Sequence, residues 1–73
     1  MSAEVAAAQL TINGEVMALA DLSTLGDLLA SLRVAPARVV VELNGVIYRR
    51  GEGLGSALQA GDVVEIVHFV GGG

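Results

Sequence analysis

The sequence predicts a two-layer α+β domain, in which one helix covers one face of a sheet of four or five strands. Two observations predict this class. Two Asn-Gly pairs each lie between short apolar runs, and four leucines with helical spacing lie between those two regions. A last alternating run, residues 63–69, adds a final strand. A chain of 73 residues has room for one such domain.

Each Asn-Gly pair predicts a β-hairpin. Asn13 and Gly14 separate residues 10–12 from residues 15–19, and Asn44 and Gly45 separate residues 39–43 from residues 46–48. Asn-Gly between alternating or β-branched residues is the strongest short-range signal for a tight hairpin. The sequence therefore supplies four strands in two antiparallel pairs.

The segment between the hairpins predicts the helix. Ser23 or Thr24 can cap its first N–H groups, Asp27 lies in its favourable first turn, and Pro36 is expected to end it. Leucines recur at i, i+3, i+4 and i+7, which predicts a single apolar stripe in the core: Leu25, Leu28, Leu29 and Leu32.

In the final strand, successive side chains face opposite sides of the sheet. Because a carboxylate at Glu65 is costly to bury, Val64 and Ile66 are expected to face the helix. Val67 and Phe69 then lie on an open face. With the hairpins supplying the antiparallel pairs, the last strand is free to enter the centre of the sheet beside the first. The stripe of leucines is expected to pack on Val64 and Ile66, together with strand residues Ile12 and Val41.

Composition excludes several kinds of function. The chain has no cysteine, which excludes disulfides, thiolate zinc sites and cysteine nucleophiles. Four arginines, no lysine and eight acidic residues give a net charge of −4, and no basic stripe suits nucleic acid. No apolar run approaches the ~20 residues of a membrane span, and the first residues do not resemble a secretory signal. We expect a cytoplasmic protein with neither nucleic acid nor membrane as a partner.

Few side chains suggest catalysis. His68 is the sole histidine, and no serine, cysteine or paired carboxylate is placed to act with it, so we interpret it as a strand-end residue at the margin of the core. Arg49 and Arg50 are interpreted as part of a solvated loop, with a salt-sensitive contact to an acidic partner as the alternative.

The glycines at residues 71–73 predict a functional tail. Without Cβ atoms, Gly71 and Gly72 can lie extended in a channel that rejects larger residues. Residues 70–73 extend roughly 13 Å, enough to carry the carboxylate of Gly73 into the active site of another protein. Adenylation by ATP is the obvious way to activate that carboxylate. Val67, Phe69 and Val70 are the expected docking residues. The chain then divides into a flexible arm (residues 1–8), a domain (9–70) and a functional tail (71–73).

These residues resemble a known family. The stretch VVEIVHFVGGG, the preceding AGD and the Asn13-Gly14 turn are similar to the sulfur carriers of thiamine biosynthesis, the ThiS family, over about residues 10–73. The resemblance implies a ubiquitin-like β-grasp fold and a carrier that is not itself an enzyme and binds no cofactor tightly. It further implies that a ThiF-type adenylyltransferase activates Gly73 with ATP. Sulfur from a cysteine desulfurase relay would then form a thiocarboxylate, which thiazole synthase (ThiG) would use.

Two alternatives stay open from the sequence. The small subunit of molybdopterin synthase and related carriers for cysteine synthesis share the fold and the Gly-Gly end, but usually reach it through a proline or small residue, whereas this chain has Phe69 and Val70. The other alternative is a ubiquitin-like interaction module without acyl chemistry.

Overall fold

The computed structural model describes residues 8–69, and its elements confirm the predicted α+β class. One helix packs on a five-stranded sheet. In chain order the elements are β1 (Gln9–Ile12), β2 (Glu15–Ala18), α1 (Leu25–Ser31), a 3₁₀ turn (Pro36–Arg38), β3 (Val39–Leu43), β4 (Val46–Arg49) and β5 (Val63–His68). No helix within this range is long and apolar enough to cross a membrane.

The last strand lies at the centre of the sheet, as predicted. The strand order is β2-β1-β5-β3-β4. β5 runs parallel to β1, with Ile12 opposite Val64. It runs antiparallel to β3, from Leu43 opposite Val64 to Val39 opposite His68. The sheet is therefore mixed, and β5 joins the two hairpins.

Both predicted hairpins are present, each closed by a two-residue turn. Asn13 and Gly14 have φ values of 49° and 85°, and Asn44 and Gly45 have values of 51° and 89°. Two successive positive φ angles are those of a type I′ turn, whose twist matches that of the flanking strands. Asparagine and glycine tolerate this region best, which explains why these pairs interrupt the apolar runs.

The two turn asparagines also hold β5. The side chain of Asn13 accepts a hydrogen bond from the N–H of Ile66 at 2.7 Å and donates to its carbonyl oxygen at 3.3 Å. Asn44 accepts from the N–H of Val63 at 2.8 Å and donates to the carboxylate of Asp62 at 2.9 Å. Each side-chain amide therefore accepts a hydrogen bond from an N–H of β5 just beyond the last paired residue of the neighbouring strand.

The helix begins with a capping box. The Thr24 hydroxyl accepts a hydrogen bond from the N–H of Asp27 at 3.2 Å, and the Asp27 carboxylate accepts from the N–H groups of Ser23 at 2.9 Å and Thr24 at 3.1 Å. The hydrogen bond from Ser23, followed by that from Thr24, lowers the pKa of Asp27 below its usual value. Of the two predicted caps, Thr24 is the residue used.

The helix ends earlier than predicted. Its last residue is Ser31, and Arg33 beyond it takes a left-handed φ of 59°. The N–H of Arg33 donates to the carbonyl oxygen of Ala30 at 3.0 Å, and that of Val34 donates to Leu29 at 2.9 Å. These two bonds form a Schellman motif, with arginine at the position that glycine usually occupies.

Two predictions about this region are therefore wrong. Pro36 does not end the helix; it begins the 3₁₀ turn that leads into β3. Leu32 is the C-cap and is 37% exposed, so it does not belong to the core as its spacing predicted. Leu32 itself keeps a helical φ of −87°, but it lies at the very end of the helix, where the chain turns at the left-handed Arg33, and it therefore remains at the margin of the core.

The core lies between the helix and one face of the sheet. Leu25, Leu28 and Leu29 are fully buried, and the predicted partner Ile66 is half-buried against them. The remaining core side chains come mainly from β1, β3 and β5, including the other three predicted partners, Ile12, Val41 and Val64: Leu10, Ile12, Val39, Val41, Leu43, Leu58 and Val64. Leu58, from the irregular segment before β5, was not predicted to be in the core.

We expect Leu29→Ala to reduce the free energy of unfolding by roughly 2–5 kcal/mol, because it leaves a cavity in a fully packed site. A denaturant titration would measure the change. Leu32→Ala is the matched control, since it removes the same atoms from an exposed position one turn away. A loss below about 0.5 kcal/mol for Leu29→Ala would contradict this packing.

The capping box predicts a pH dependence. A carboxylate whose pKa is lowered in the folded state stabilises that state above the pKa of the unfolded chain, and the stabilisation is lost as the pH falls through the folded value. We therefore expect Asp27→Ala to destabilise the protein at pH 7 but to have a smaller effect near about pH 2. Unfolding titrations at both pH values would measure this, with the exposed Asp21→Ala as control. A difference that did not change with pH would contradict the assignment.

Candidate functional site

The candidate site is the open face of the sheet around the end of β5. Val67 and Phe69 are 62% and 41% exposed, and alternation from the buried Val64 places them on the predicted face, away from the helix. Glu65 is exposed and Val64 is buried, so the phase predicted from the carboxylate is correct.

Strand register shows what surrounds these two residues. Val67 lies opposite Val40 of β3, which in turn lies opposite Arg49 of β4. Since residues directly opposite each other share a face, the open face extends across the whole sheet. Large apolar side chains exposed on this face come from β2, β4, β5 and the residue after β5: Val16, Ile47, Val63, Val67 and Phe69.

Two carboxylates interrupt this apolar surface. Glu65 of β5 lies directly opposite Glu42 of β3, and both are exposed. Like charges directly opposite each other destabilise a sheet, so this pair does not contribute to folding. The middle of the open face is therefore acidic.

The end of the open face is basic. The guanidinium carbon of Arg50 lies 4.8 Å from the centre of the Phe69 ring, in cation–π geometry. Arg50 has a left-handed φ of 48°, and its N–H donates to the carbonyl oxygen of Val39 at 3.1 Å. Arg49 belongs to β4 rather than to a loop. The interpretation of both arginines as solvated loop residues is therefore wrong for Arg49 and incomplete for Arg50.

The backbone at the start of the tail is held in the sheet. The N–H of Phe69 donates to the carbonyl oxygen of Arg38 at 3.0 Å, which continues the pairing of β5 with β3. Phe69 is also the last residue that the structure describes. The predicted docking residue Val70, the tail residues Gly71, Gly72 and Gly73, and residues 1–7 of the predicted arm lie outside the described residues.

His68 lies on the other face of β5. It is exposed, and it lines a groove of about 450 Å³ between the sheet and the end of the helix. Most of the lining is apolar, and Glu15 is the other titratable group in it: Ile12, Asn13, Glu15, Val16, Met17, Leu32, Val34, Ile66 and His68. Within residues 8–69, no group of three or more His, Cys, Asp or Glu residues could hold a metal ion.

Comparison with curated proteins finds a relative with a longer chain. This sequence is 42% identical, over 62 residues, to a thiazole synthase of Magnetococcus marinus. The alignment covers 85% of this chain but 19% of that protein, so the chain spans about a fifth of its relative's length.

Two solved structures of similar length match over most of the chain. A crystal structure of a thiamine biosynthesis protein (ThiS) from Geobacter metallireducens is 37% identical, with a TM-score of 0.69, and the match covers 89% of this chain and 99% of that one. An NMR solution structure of a thiamine biosynthesis protein from the same organism is 38% identical, with a TM-score of 0.65, and the match covers 89% and 87%.

The family comparison covers both the sheet and the tail. The model of the ThiS family matches residues 10–73, which include every strand except the first residue of β1. The β-grasp architecture that the resemblance implied, with one helix on a mixed five-stranded sheet, is confirmed by the strand order. The chain belongs to the ThiS family.

Proposed function

We propose that this protein is a sulfur carrier of thiamine biosynthesis and that the carboxylate of Gly73 carries the sulfur as a thiocarboxylate. The observation that carries the proposal is the ThiS family match, which extends through the glycine tail to residue 73. The likeness to the two Geobacter proteins, both described as thiamine biosynthesis proteins, supports the same pathway.

In the proposed reaction, partner enzymes supply the catalysis and this chain supplies the acyl group. A ThiF-type adenylyltransferase binds ATP, and a carboxylate oxygen of Gly73 attacks the α-phosphorus while pyrophosphate leaves. A persulfide of a cysteine desulfurase relay then attacks the acyl adenylate and displaces AMP, and a thiol cleaves the S–S bond of the resulting acyl disulfide to release the thiocarboxylate and a new disulfide. Because the chain contains neither cysteine nor lysine, no thiol or amine side chain of its own competes for the activated carbonyl. The use of ATP agrees with the expected cytoplasmic location.

The position of Phe69 supports this role for the tail. The backbone is paired with β3 through Phe69, the last residue that the structure describes. Residues 70–73 can then extend roughly 13 Å beyond it. Gly71 and Gly72 can pass through a channel too narrow for side chains, while the domain remains at its entrance.

We further propose thiazole synthase (ThiG) as the enzyme that receives the sulfur. A stretch similar to this chain forms part of a protein named thiazole synthase, which supports a direct association between a carrier of this kind and that enzyme. The family match favours thiamine biosynthesis over molybdopterin synthesis and over an interaction module without acyl chemistry.

Incubation with ATP, a ThiF-type adenylyltransferase, a cysteine desulfurase with its sulfur source and a thiol reductant should test the proposal. We expect the protein to gain the mass difference between one sulfur atom and one oxygen atom, and fragmentation should place that gain on Gly73. Mass spectrometry of the intact protein and of its C-terminal peptide measures both. Deletion of Gly73 should abolish the gain, and Gly72→Ala should reduce its rate because an added methyl group obstructs a narrow channel.

Leu32→Ala serves as the control in this reaction. It also changes only an apolar side chain, but it lies at the end of the helix, away from the tail. A mass gain elsewhere in the chain, or one that survives the loss of Gly73, would contradict the proposal and favour the interaction module.

Phe69 and Val67 are proposed to contact the adenylyltransferase during this reaction. We expect Phe69→Ser to weaken the complex, because an exposed aromatic ring at the base of the tail is lost, while the fold is retained. Isothermal calorimetry measures the affinity. Val46→Ser is the matched control, since Val46 is 52% exposed but lies opposite Leu43, on the helix side of the sheet. Equal affinities for the wild-type protein and Phe69→Ser would exclude this contact.

A further inference from the structure

The cations of this chain are concentrated at the point where the tail begins. The sequence contains four arginines and no lysine among eight acidic residues. Two of the arginines lie on the open face beside Phe69: Arg50 stacks on its ring, and Arg49 lies on β4; we call these two the arginine collar. An acidic protein thus has a local basic patch beside the segment that is proposed to carry the sulfur.

Separate contacts place each member of the collar. Arg50 stacks on the Phe69 ring at 4.8 Å. The backbone of Arg38 lies opposite Phe69, since its carbonyl oxygen accepts the Phe69 N–H at 3.0 Å. Arg49 lies on the same open face as Val67, with Val40 of β3 between them. The backbones of Arg49 and Val67 are therefore two strand spacings apart, roughly 10 Å.

Arg49 and Arg50 are adjacent in the chain, and the strand spacing places Arg49 roughly 10 Å from β5. At about 0.1 M salt the Debye length is about 10 Å, so both charges act on the same part of an approaching surface. The nearby carboxylate of Glu52 accepts a hydrogen bond from the N–H of Arg49 at 3.3 Å and offsets only part of the charge. Two other carboxylates of the face lie farther from Phe69: Glu65 in the middle of β5, and Glu42 opposite it in β3.

We infer that the arginine collar docks against an acidic rim around the channel of the adenylating enzyme, an inference that rests on the proposed function. Charge complementarity identifies the occupant: a negative protein surface is attracted to the base of the tail and repelled by the Glu42 and Glu65 pair. This arrangement fixes the orientation in which the tail meets the channel. Arg50 has the central role, because its guanidinium covers one side of the ring that Phe69 presents.

Association rates across salt concentrations test the collar. We expect Arg50→Glu and Arg49→Glu each to slow association with the adenylyltransferase by roughly tenfold or more at about 0.1 M salt. The difference from wild type should largely disappear near about 1 M salt, where the Debye length is about 3 Å. Arg50→Lys keeps the charge and should keep the salt dependence. Stopped-flow mixing measures these rates, and unfolding titrations establish that each variant is folded.

Arg33→Glu is the matched control. It changes the net charge by the same amount and also replaces an exposed arginine with a left-handed φ, but it lies beyond the helix on the other side of the sheet. Equal slowing by Arg33→Glu and Arg50→Glu would overturn the collar in favour of net charge. If Arg50→Glu changed the dependence on ATP but not the association rate, the collar would bind a nucleotide instead, and the inference would be wrong.

Failure of the inference differs from failure of the proposed function. If the wild-type protein gains sulfur on Gly73 while the collar variants associate normally, the carrier role stands and the collar is wrong. If the wild-type protein neither associates with the enzyme nor gains sulfur, both are wrong.

Discussion

The structure depends on a single strand, β5, which joins two hairpins that do not pair with each other within residues 8–69. Its parallel pairing with β1 is short, covering Val63 and Val64. The Asn13 amide extends that pairing by satisfying both backbone groups of Ile66, and the Asn44 amide satisfies the N–H of Val63 at the start of the strand. Backbone groups left unpaired inside a sheet are costly, so each turn also secures the position of the central strand.

Local signals predicted the elements whose structure is determined locally. The two Asn-Gly turns and the Thr24 cap depend on residues within a few positions of one another. The end of the helix could not be predicted in this way, because Arg33 occupies a left-handed position that glycine usually fills. Leu58 and the buried Asp62 lie in a segment without periodicity, where only tertiary contacts determine burial.

The site could be predicted in part. A single carboxylate, Glu65, was sufficient to identify which side of β5 is open, because alternation along a strand is strict. The charges on that face could not be predicted, since Glu42 becomes a neighbour of Glu65 only through the register between β3 and β5. The stacking of Arg50 on Phe69 likewise joins residues that follow two different strands, β4 and β5, and no spacing along the chain indicates it.

The central position of β5 also determines how the domain responds to mechanical force. A partner that pulls on the chain beyond Phe69 pulls along the axis of β5, which is bonded to β1 on one side and β3 on the other. Backbone hydrogen bonds run across the strands, so a pull along β5 shears all of these bonds at the same time. It does not open the bonds one after another from an edge. A strand at the edge of the sheet would instead peel away. The fold therefore anchors the chain at Phe69 against a pull along β5, and the described domain resists unravelling under that pull.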